Sequence, residues 1–342
     1  MERSPQIIHA ILLLVLFLTA CGPVTPVPTP TQVPPPTLAP SPTSLSEAQR
    51  YLWEAIDIIQ KNALRSKNVD WVQVRATALT AEKFAKTPAD TYDTISYVLR
   101  QLGDHHSFFM TPDQTNQLNN STVEDYPAPK GKLFEGKIGY VAVFAFGAQS
   151  EEEINKYADK IQAIIIDLNK QSVCGWIVDL REDQGGNMYP MIAGLGALIG
   201  EGELGSFKDA TGQTSHWYYR DGQSGMENMP LAKVSQPKFL LEPEKTPVAV
   251  LIGPQTASSG EATAISFRGR PNTRFFGKPS AGLTTGNDMF TLNDGAVIIL
   301  TVVVELDRKG QEYGDEMIPD MTTSTPESDA TKWLLTQPAC NK

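Results

Sequence analysis

Residues 248–267 read VAVLIGPQTASSGEATAISF, and the rest of the chain is organised around this stretch. The apolar run at 248–252 predicts a buried strand, and residues 262–267 predict the start of a helix. The small residues between them lift a serine hydroxyl clear of the backbone and aim the free N–H groups of the helix N-terminus at one point. Such a turn suits a nucleophile beside an oxyanion site. A simple helix cap by Ser258 or Ser259 explains the same residues.

The composition of the chain excludes several classes of function. The 342 residues carry a net charge of −10 and contain no cluster of Lys or Arg, which argues against a nucleic-acid partner. The three cysteines and four histidines do not have the spacing of metal ligands, so we expect no metal and no cofactor. A disulfide between Cys174 and Cys340 is compatible with an exported protein, but the sequence does not decide it.

The first 43 residues predict export and anchoring instead of a folded domain. Residues 1–20 have a basic start and an apolar stretch too short for a membrane span, which is typical of a signal peptide. The sequence LTAC at 18–21 resembles a bacterial lipobox, so we expect Cys21 to be lipidated. Residues 21–43 are rich in Pro and Thr and predict an extended tether. We therefore expect a protein that is lipid-anchored to the extracytoplasmic face of the cell membrane.

The folded part predicts an α/β class with a helical lead-in. Apolar periodicity within the lead-in, residues 44–110, predicts three helices, at 46–64, 69–86 and 91–102. After a connector at 111–136, strands alternate with helices over residues 137–325, which indicates parallel βαβ units, and hairpin signals add antiparallel pieces. Within this region we predict a helix at 151–169 and a hairpin whose first strand begins at Phe290. We predict one α/β core with a mixed sheet, closed by a helix and tail at 326–342, in which the helix covers residues 326–335.

Two loops that follow predicted strands, one with Gly185 and Gly186 and one with Ser258, supply part of what a serine enzyme needs. Gly185 and Gly186 follow one strand and allow a substrate carbonyl to approach the backbone, although an ordinary turn before a helix explains them as well. A serine nucleophile needs a base, and histidine is the usual one near neutral pH. His105 and His106 follow the third predicted helix, whereas His216 lies among aromatic residues of a predicted hairpin, where we expect a surface or core role.

Four short motifs occur in a fixed order along the chain. They are LGDHHS at 102–107, VDLR with GGNM at 178–188, TASSGE at 256–261, and FGKPSAG at 276–282. Together they resemble the tail-specific, or C-terminal processing, serine peptidases, and among these the tricorn-like and nisin-resistance-protein-like branch. The resemblance extends from about residue 52 to residue 320 and implies a crotonase-like ββα core.

The resemblance also implies a role for each matching residue. Ser258 matches the nucleophile and His106 matches the general base. The implied oxyanion donors are Gly185, Gly186 and Ser259. The implied substrate contacts are Asn187 and Met188.

The chain departs from many processing peptidases in two ways. Leu283 replaces the lysine that commonly pairs with the serine, so a Ser–His mechanism fits better than a Ser–Lys one. Only about 30 residues separate His106 from Lys137, too few for the PDZ domain of many relatives, because a domain needs ~50 residues or more. We therefore expect the catalytic groove itself to recognise substrate tails, by adding a strand to an exposed sheet edge.

A carboxylate should orient the base, and the sequence offers several candidates. Glu312 and Glu316 lie near the position where tricorn-like enzymes have a glutamate. Asp104 and Glu261 are local alternatives, and a dyad without a carboxylate also remains open.

The predicted function is that of an extracytoplasmic, membrane-anchored serine endopeptidase. It would cleave peptides or protein tails near the C-terminus through an acyl-enzyme, with those C-terminal tails as its partners. The alternative is a catalytically inactive, peptide-binding surface lipoprotein on the same fold. An esterase of the α/β hydrolase type ranks last, because the serine turn lacks Gly-x-Ser-x-Gly.

Overall fold

The computed structural model describes residues 45–236 and 239–341, and these ranges contain eight α-helices and thirteen β-strands. The predicted signal peptide, Cys21 and the Pro-rich tether lie outside the described residues. The helices are α1 (Glu47–Asn62), α2 (Trp71–Ala81), α3 (Tyr92–Arg100), α4 (Pro112–Asn119), α5 (Glu151–Asn169), α6 (Met188–Ile199), α7 (Ser259–Ile265) and α8 (Pro326–Leu335). The strands are β1 (Phe108–Met110), β2 (Lys130–Phe134), β3 (Ile138–Ala142), β4 (Gly175–Asp179), β5 (Gly202–Asp209), β6 (Thr214–Arg220), β7 (Gln223–Met226), β8 (Met229–Lys233), β9 (Val248–Ile252), β10 (Thr273–Gly277), β11 (Thr285–Thr291), β12 (Val297–Asp307) and β13 (Met321–Thr322).

A mixed sheet in the order β13-β10-β9-β4-β3-β2 forms the centre of the core. All its strands are parallel except β2, which runs antiparallel to β3 at the edge. In β9, Val248, Val250 and Ile252 belong to the cluster with α5 and α6, whereas Ala249 and Leu251 pack towards α8. Because both faces of the sheet are covered, every residue of this strand is apolar. The carboxyl end of β4 leads into the loop that contains Gly185 and Gly186, called the glycine loop. The carboxyl end of β9 leads into the turn that contains Ser258, called the serine turn.

The hairpins form a second sheet of their own, which the sequence did not predict. Its order is β1-β12-β5-β6-β7-β8, with β11 paired to the other edge of β12, and every pair is antiparallel. The long strand β12 pairs with β1 through its first residues and with β5 through its last.

The helical lead-in packs on this second sheet. Side chains of α1 and α3, among them Leu52 and Ile95, share one apolar cluster with Ile298 and Leu300 of β12. A capping box at Ser46 starts α1 and Asp70 caps α2, which ends earlier than its predicted limit near residue 86. The lead-in is therefore a layer of the fold whose core includes residues from the far end of the chain.

The connector and the C-terminal tail complete the core. The connector forms α4 and the edge strand β2, and it passes directly from the helical layer to the mixed sheet. A disulfide joins Cys174, just before β4, to Cys340 after α8, with the two Cα atoms 5.0 Å apart. None of the described helices is long and apolar enough to cross a membrane.

Candidate active site

Ser258 occupies a strained turn at the N-terminus of α7. Its backbone has φ 53° and ψ −121°, a conformation that costs a non-glycine residue about 1–3 kcal/mol and is found mainly at functional sites. Neighbouring hydrogen bonds hold the turn: the Ser258 N–H donates to Glu261 Oε2 at 2.9 Å, and the Ala257 N–H donates to the Asp183 carbonyl at 3.0 Å. The fold thus enforces a backbone shape that serine alone would not adopt.

The Ser258 hydroxyl lies against His106. Its Oγ is 2.9 Å from Nε2 of the ring, across 152 residues of sequence. His106 lies in the loop between α3 and β1, where Asp104 Oδ1 accepts its backbone N–H at 3.1 Å. The side chain is only 7% exposed, and this burial lowers its pKa, while the charge of Asp104 acts in the opposite direction. The imidazole is therefore neutral at pH 7 and able to accept the serine proton.

Thr285 is the second partner of the His106 ring. Its Oγ1 lies 2.7 Å from Nδ1. If Nε2 accepts a proton from serine, Nδ1 must carry the ring hydrogen and donate it to Thr285. Sequence reasoning missed this residue, because the predicted strand began at Phe290 whereas β11 begins at Thr285.

The predicted orienting carboxylates must be corrected. Glu312 forms an ion pair with Lys208, because it lies opposite Leu306 at the end of β12, beside β5. Within the described ranges no hydrogen bond joins Glu316 to His106; this glutamate lines a neighbouring cleft with Gly282. A threonine hydroxyl thus contacts the ring atom at which a carboxylate was expected.

The glycine loop lies against the serine turn. Gly185 and Gly186 have φ of 100° and 109°, in the region that favours glycine. A Cβ on Gly185 would come within 2.9 Å of the Ser258 Cβ, and one on Gly186 within 2.1 Å of the Phe146 carbonyl oxygen. The Ser259 hydroxyl donates to the Gly186 carbonyl at 2.8 Å and links the two loops.

The predicted oxyanion donors differ in their availability. The Gly185 N–H is already bound to Asp183 Oδ1 at 3.0 Å, so this donor must be removed from the prediction. Over the described ranges, no hydrogen bond occupies the N–H of Gly186 or that of Ser259. Ser259 is the first residue of α7, whose N–H has no partner within the helix. The pair that remains for an oxyanion is Gly186 and Ser259.

The two predicted substrate contacts have structural roles. Asn187 caps α6, because its Oδ1 accepts the Tyr189 N–H at 3.0 Å. Met188 is 5% exposed and belongs to the main apolar core, so it packs against other core residues. Met188 must be corrected from a substrate contact to a core residue, whereas Asn187 stays half-buried beside the glycine loop.

Glu261 connects the serine turn to the segment that leads into β11. Its Oε1 accepts from the Ser280 hydroxyl and from the Gly282 N–H at 2.9 Å. Its Oε2 accepts from the N–H groups of Ser258 at 2.9 Å and Leu283 at 2.8 Å. Burial raises the pKa of Glu261, and these four hydrogen bonds oppose that shift. The cap-like carboxylate of Glu261 and the serine hydroxyl that contacts His106 therefore coexist in one turn.

Comparison with known proteins decides the family. The sequence profile of peptidase family S41 matches residues 137–323, which is more than half of the chain. The chain belongs to peptidase family S41. The matched S41 region contains the mixed sheet except its edge strand β2, together with the glycine loop, the serine turn and Thr285, while His106 precedes it. The predicted family and the predicted mixed α/β fold are confirmed.

Individual S41 relatives and related structures cover most of the chain. The nisin-resistance protein of Lactococcus lactis subsp. lactis is 29% identical over 292 residues, which span 84% of this chain and 87% of that protein. The structure of a lipoprotein from Streptococcus agalactiae has a TM-score of 0.72 and 27% identity, covering 87% of this chain and 97% of its own. The photosystem II D1 C-terminal processing protease has the same fold, with a TM-score of 0.56, 16% identity, and coverage of 86% and 99%.

Proposed function

We propose that this S41 protein is a serine endopeptidase that cleaves peptides or protein tails near their C-termini. Ser258 is the nucleophile and His106 the general base. The observation that carries the proposal is the 2.9 Å contact between Ser258 Oγ and His106 Nε2. A hydroxyl held in a strained turn against a neutral, buried imidazole is the arrangement that activates a serine.

The reaction would proceed through an acyl-enzyme. Ser258 Oγ attacks the scissile carbonyl carbon while His106 Nε2 takes the hydroxyl proton. The carbonyl oxygen, now negative, accepts hydrogen bonds from the N–H groups of Gly186 and Ser259. The imidazolium gives its proton to the leaving amine, and the acyl group stays on Ser258. A water molecule then attacks the ester, with His106 again taking and returning a proton, and releases the new carboxyl end.

Thr285 supports the base in this scheme. Its hydroxyl accepts the Nδ1 hydrogen and fixes the tautomer in which Nε2 faces Ser258. A hydroxyl is neutral, so it stabilises the imidazolium less than a carboxylate would. We therefore expect a Ser–His–Thr site whose turnover is modest.

The N-terminal sequence pattern and the relatives support the proposed location and substrate class. Lipidation at Cys21 and a Pro-rich tether would hold the enzyme at the outer side of the membrane. Similarity to a streptococcal lipoprotein and to a nisin-resistance protein supports a cell-envelope protein that acts on peptides outside the cytoplasm.

The second candidate is a catalytically inactive, peptide-binding lipoprotein on the same fold. The observation in its favour is the hydroxyl of Thr285 at the ring atom where serine peptidases commonly have a carboxylate. Such a protein would bind peptide tails without cleaving them.

Peptide cleavage separates the two candidates. The full-length protein in detergent is incubated with a peptide library that carries free or amidated C-termini, and products are identified by mass spectrometry. We expect cleavage that depends on a free C-terminus and is lost in Ser258→Ala and His106→Ala. His216→Ala is the matched control, since His216 lies on β6 near Glu203 and should not matter. Equal cleavage by wild type and Ser258→Ala would refute the proposal.

A further inference from the structure

Asp183 is a buried carboxyl group that the reaction scheme above does not use. It lies in the loop after β4, and its exposed fraction is 0%. Its Oδ1 accepts the Gly185 N–H at 3.0 Å, and its backbone carbonyl accepts the Ala257 N–H at 3.0 Å. One residue thus binds both the glycine loop and the serine turn.

Asp183 also packs directly against α7. A Cβ on Gly260 would come within 2.3 Å of the Asp183 carbonyl oxygen and 3.0 Å of its Cγ, so only glycine fits at that helical position. The carboxyl group is therefore enclosed between Gly185 and Gly260. These residues are the sequence neighbours of Gly186 and Ser259, whose N–H groups are the proposed oxyanion donors.

The surroundings of Asp183 do not favour a charge. Its Oδ2 is buried and has no hydrogen-bond partner in the part of the chain that the structure describes, where no cation pairs with it either. Burial raises the pKa of this carboxyl to about 7, and the Gly185 N–H opposes the shift only in part.

The groups that the neighbouring elements present to Asp183 are uncharged. The serine turn and α7 present backbone groups and the side-chain-free Gly260 to it, and its own loop presents the Gly185 N–H. On α5, the titratable group near Asp183 is Tyr157. Burial raises the pKa of Tyr157, and the charge of Asp183 raises it further. Tyr157 therefore stays neutral and supplies no opposite charge.

We propose that Asp183 is a positioning residue of the oxyanion hole and that it acts as the neutral carboxylic acid. The proposal rests on the proposed peptidase function. As the neutral acid, Asp183 holds Gly185 and keeps the adjacent Gly186 N–H beside that of Ser259. When it ionises, an unpaired charge is enclosed next to the glycine loop, and the loop must open towards water to solvate it. The Gly186 N–H then leaves the position where the oxyanion forms.

The kinetic test compares wild type, Asp183→Asn and Asp183→Ala from pH 5 to 9, with the full-length protein in detergent and one cleaved peptide. We expect the wild-type kcat to fall above pH 7 at nearly constant KM, because the oxyanion forms only in the transition state. Asp183→Ala should lose about 100-fold in kcat, the size of effect seen when one oxyanion donor is removed. Asp183→Asn should recover most of that loss and should not show the decline at alkaline pH.

The matched control is Glu182→Gln, which alters the exposed carboxylate one position earlier in the same loop. It should keep the wild-type pH profile. The proposal is overturned if Asp183→Asn keeps the alkaline decline of the wild type, or if Asp183→Ala stays within twofold of the wild-type kcat.

A second readout does not depend on catalysis. The thermal midpoint of wild type relative to Asp183→Asn should fall as pH rises from 5 to about 7 and then level off, because over this interval the Asp183 carboxyl is ionised in the unfolded chain but still protonated in the folded state. A midpoint difference that is constant with pH would overturn the proposal that Asp183 is a neutral acid in the folded protein. If wild type is as inactive as Ser258→Ala, the peptidase function fails, and this measurement still decides whether Asp183 is neutral in the folded protein.

Discussion

Replacing Thr285 by valine removes one hydroxyl from the site and keeps the branched shape of the side chain. The Oγ1 that is lost lies 2.7 Å from His106 Nδ1. No carboxylate contacts that nitrogen in the described residues, so the substitution isolates the contribution of the threonine. The reaction scheme requires the ring to become positively charged in the transition state, and that is where the loss should appear.

The expected magnitude follows from the change in charge on the ring. A hydrogen bond to a charged group contributes about 1.5–3 kcal/mol, against about 1 kcal/mol for a neutral one. The difference of roughly 1 kcal/mol corresponds to about fivefold in rate. His106 is buried, so an unpaired Nδ1–H also favours ring orientations or tautomers that move Nε2 away from Ser258. We therefore predict that kcat falls about tenfold or more, with KM little changed.

Steady-state peptide cleavage checks this prediction. Thr285→Ser keeps the hydroxyl and should retain most of the activity. In a His106→Ala background, Thr285→Val should have no further effect, since a residue that acts through the base has no role without it. A single Thr285→Val variant within twofold of wild type, or an equal loss in both backgrounds, would show that the threonine does not act through His106.

Three further predictions concern the base, the serine turn and the disulfide. Because burial lowers the pKa of His106, the acid limb of the pH–rate profile should begin only below about pH 6.5, the ordinary histidine value, and it is separate from the alkaline decline expected from Asp183. An acid limb above that value would contradict this. Glu261→Gln places an amide donor against backbone donors and should destabilise the fold by about 3–5 kcal/mol in urea unfolding, as two hydrogen bonds to a buried charge are lost. Glu312→Gln breaks a surface ion pair and serves as the control at about 0–1 kcal/mol; equal effects would refute the role of Glu261. Replacing Cys174 and Cys340 by alanine should cost about 2–5 kcal/mol in the same assay, because the bond closes a loop with a sequence separation of 166, and an unchanged unfolding midpoint would contradict it.

Elements with a strong local pattern were predictable from the sequence. The helix at 151–169 and the closing helix at 326–335 have the predicted limits, since each begins at a clear N-terminal signal and carries an apolar face. The strand at 248–252 was equally clear, because its continuous apolar run fits a strand covered on both faces.

The second sheet and Thr285 were not predictable in the same way. Strand β1 pairs with β12, which is distant from it in sequence (Phe108 lies opposite Ile299), and no local pattern encodes such a pairing. Thr285 starts β11 in a polar stretch without alternating hydrophobicity, so its contact with His106 depends on the tertiary fold. The contact between Ser258 and His106, which are distant in sequence, was suggested only by the family resemblance. The hydrogen bond from the Gly185 N–H to the Asp183 carboxyl left no signal in the sequence.

Covalent labelling tests directly whether the Ser258 hydroxyl is an activated nucleophile. The full-length protein is treated with a fluorophosphonate, which reacts with activated serine hydroxyls, and the modified peptide is identified by mass spectrometry. We expect one adduct on Ser258, absent from Ser258→Ala and strongly reduced in His106→Ala. Wild-type protein that stays unlabelled, or labelling that persists in Ser258→Ala, would contradict this expectation.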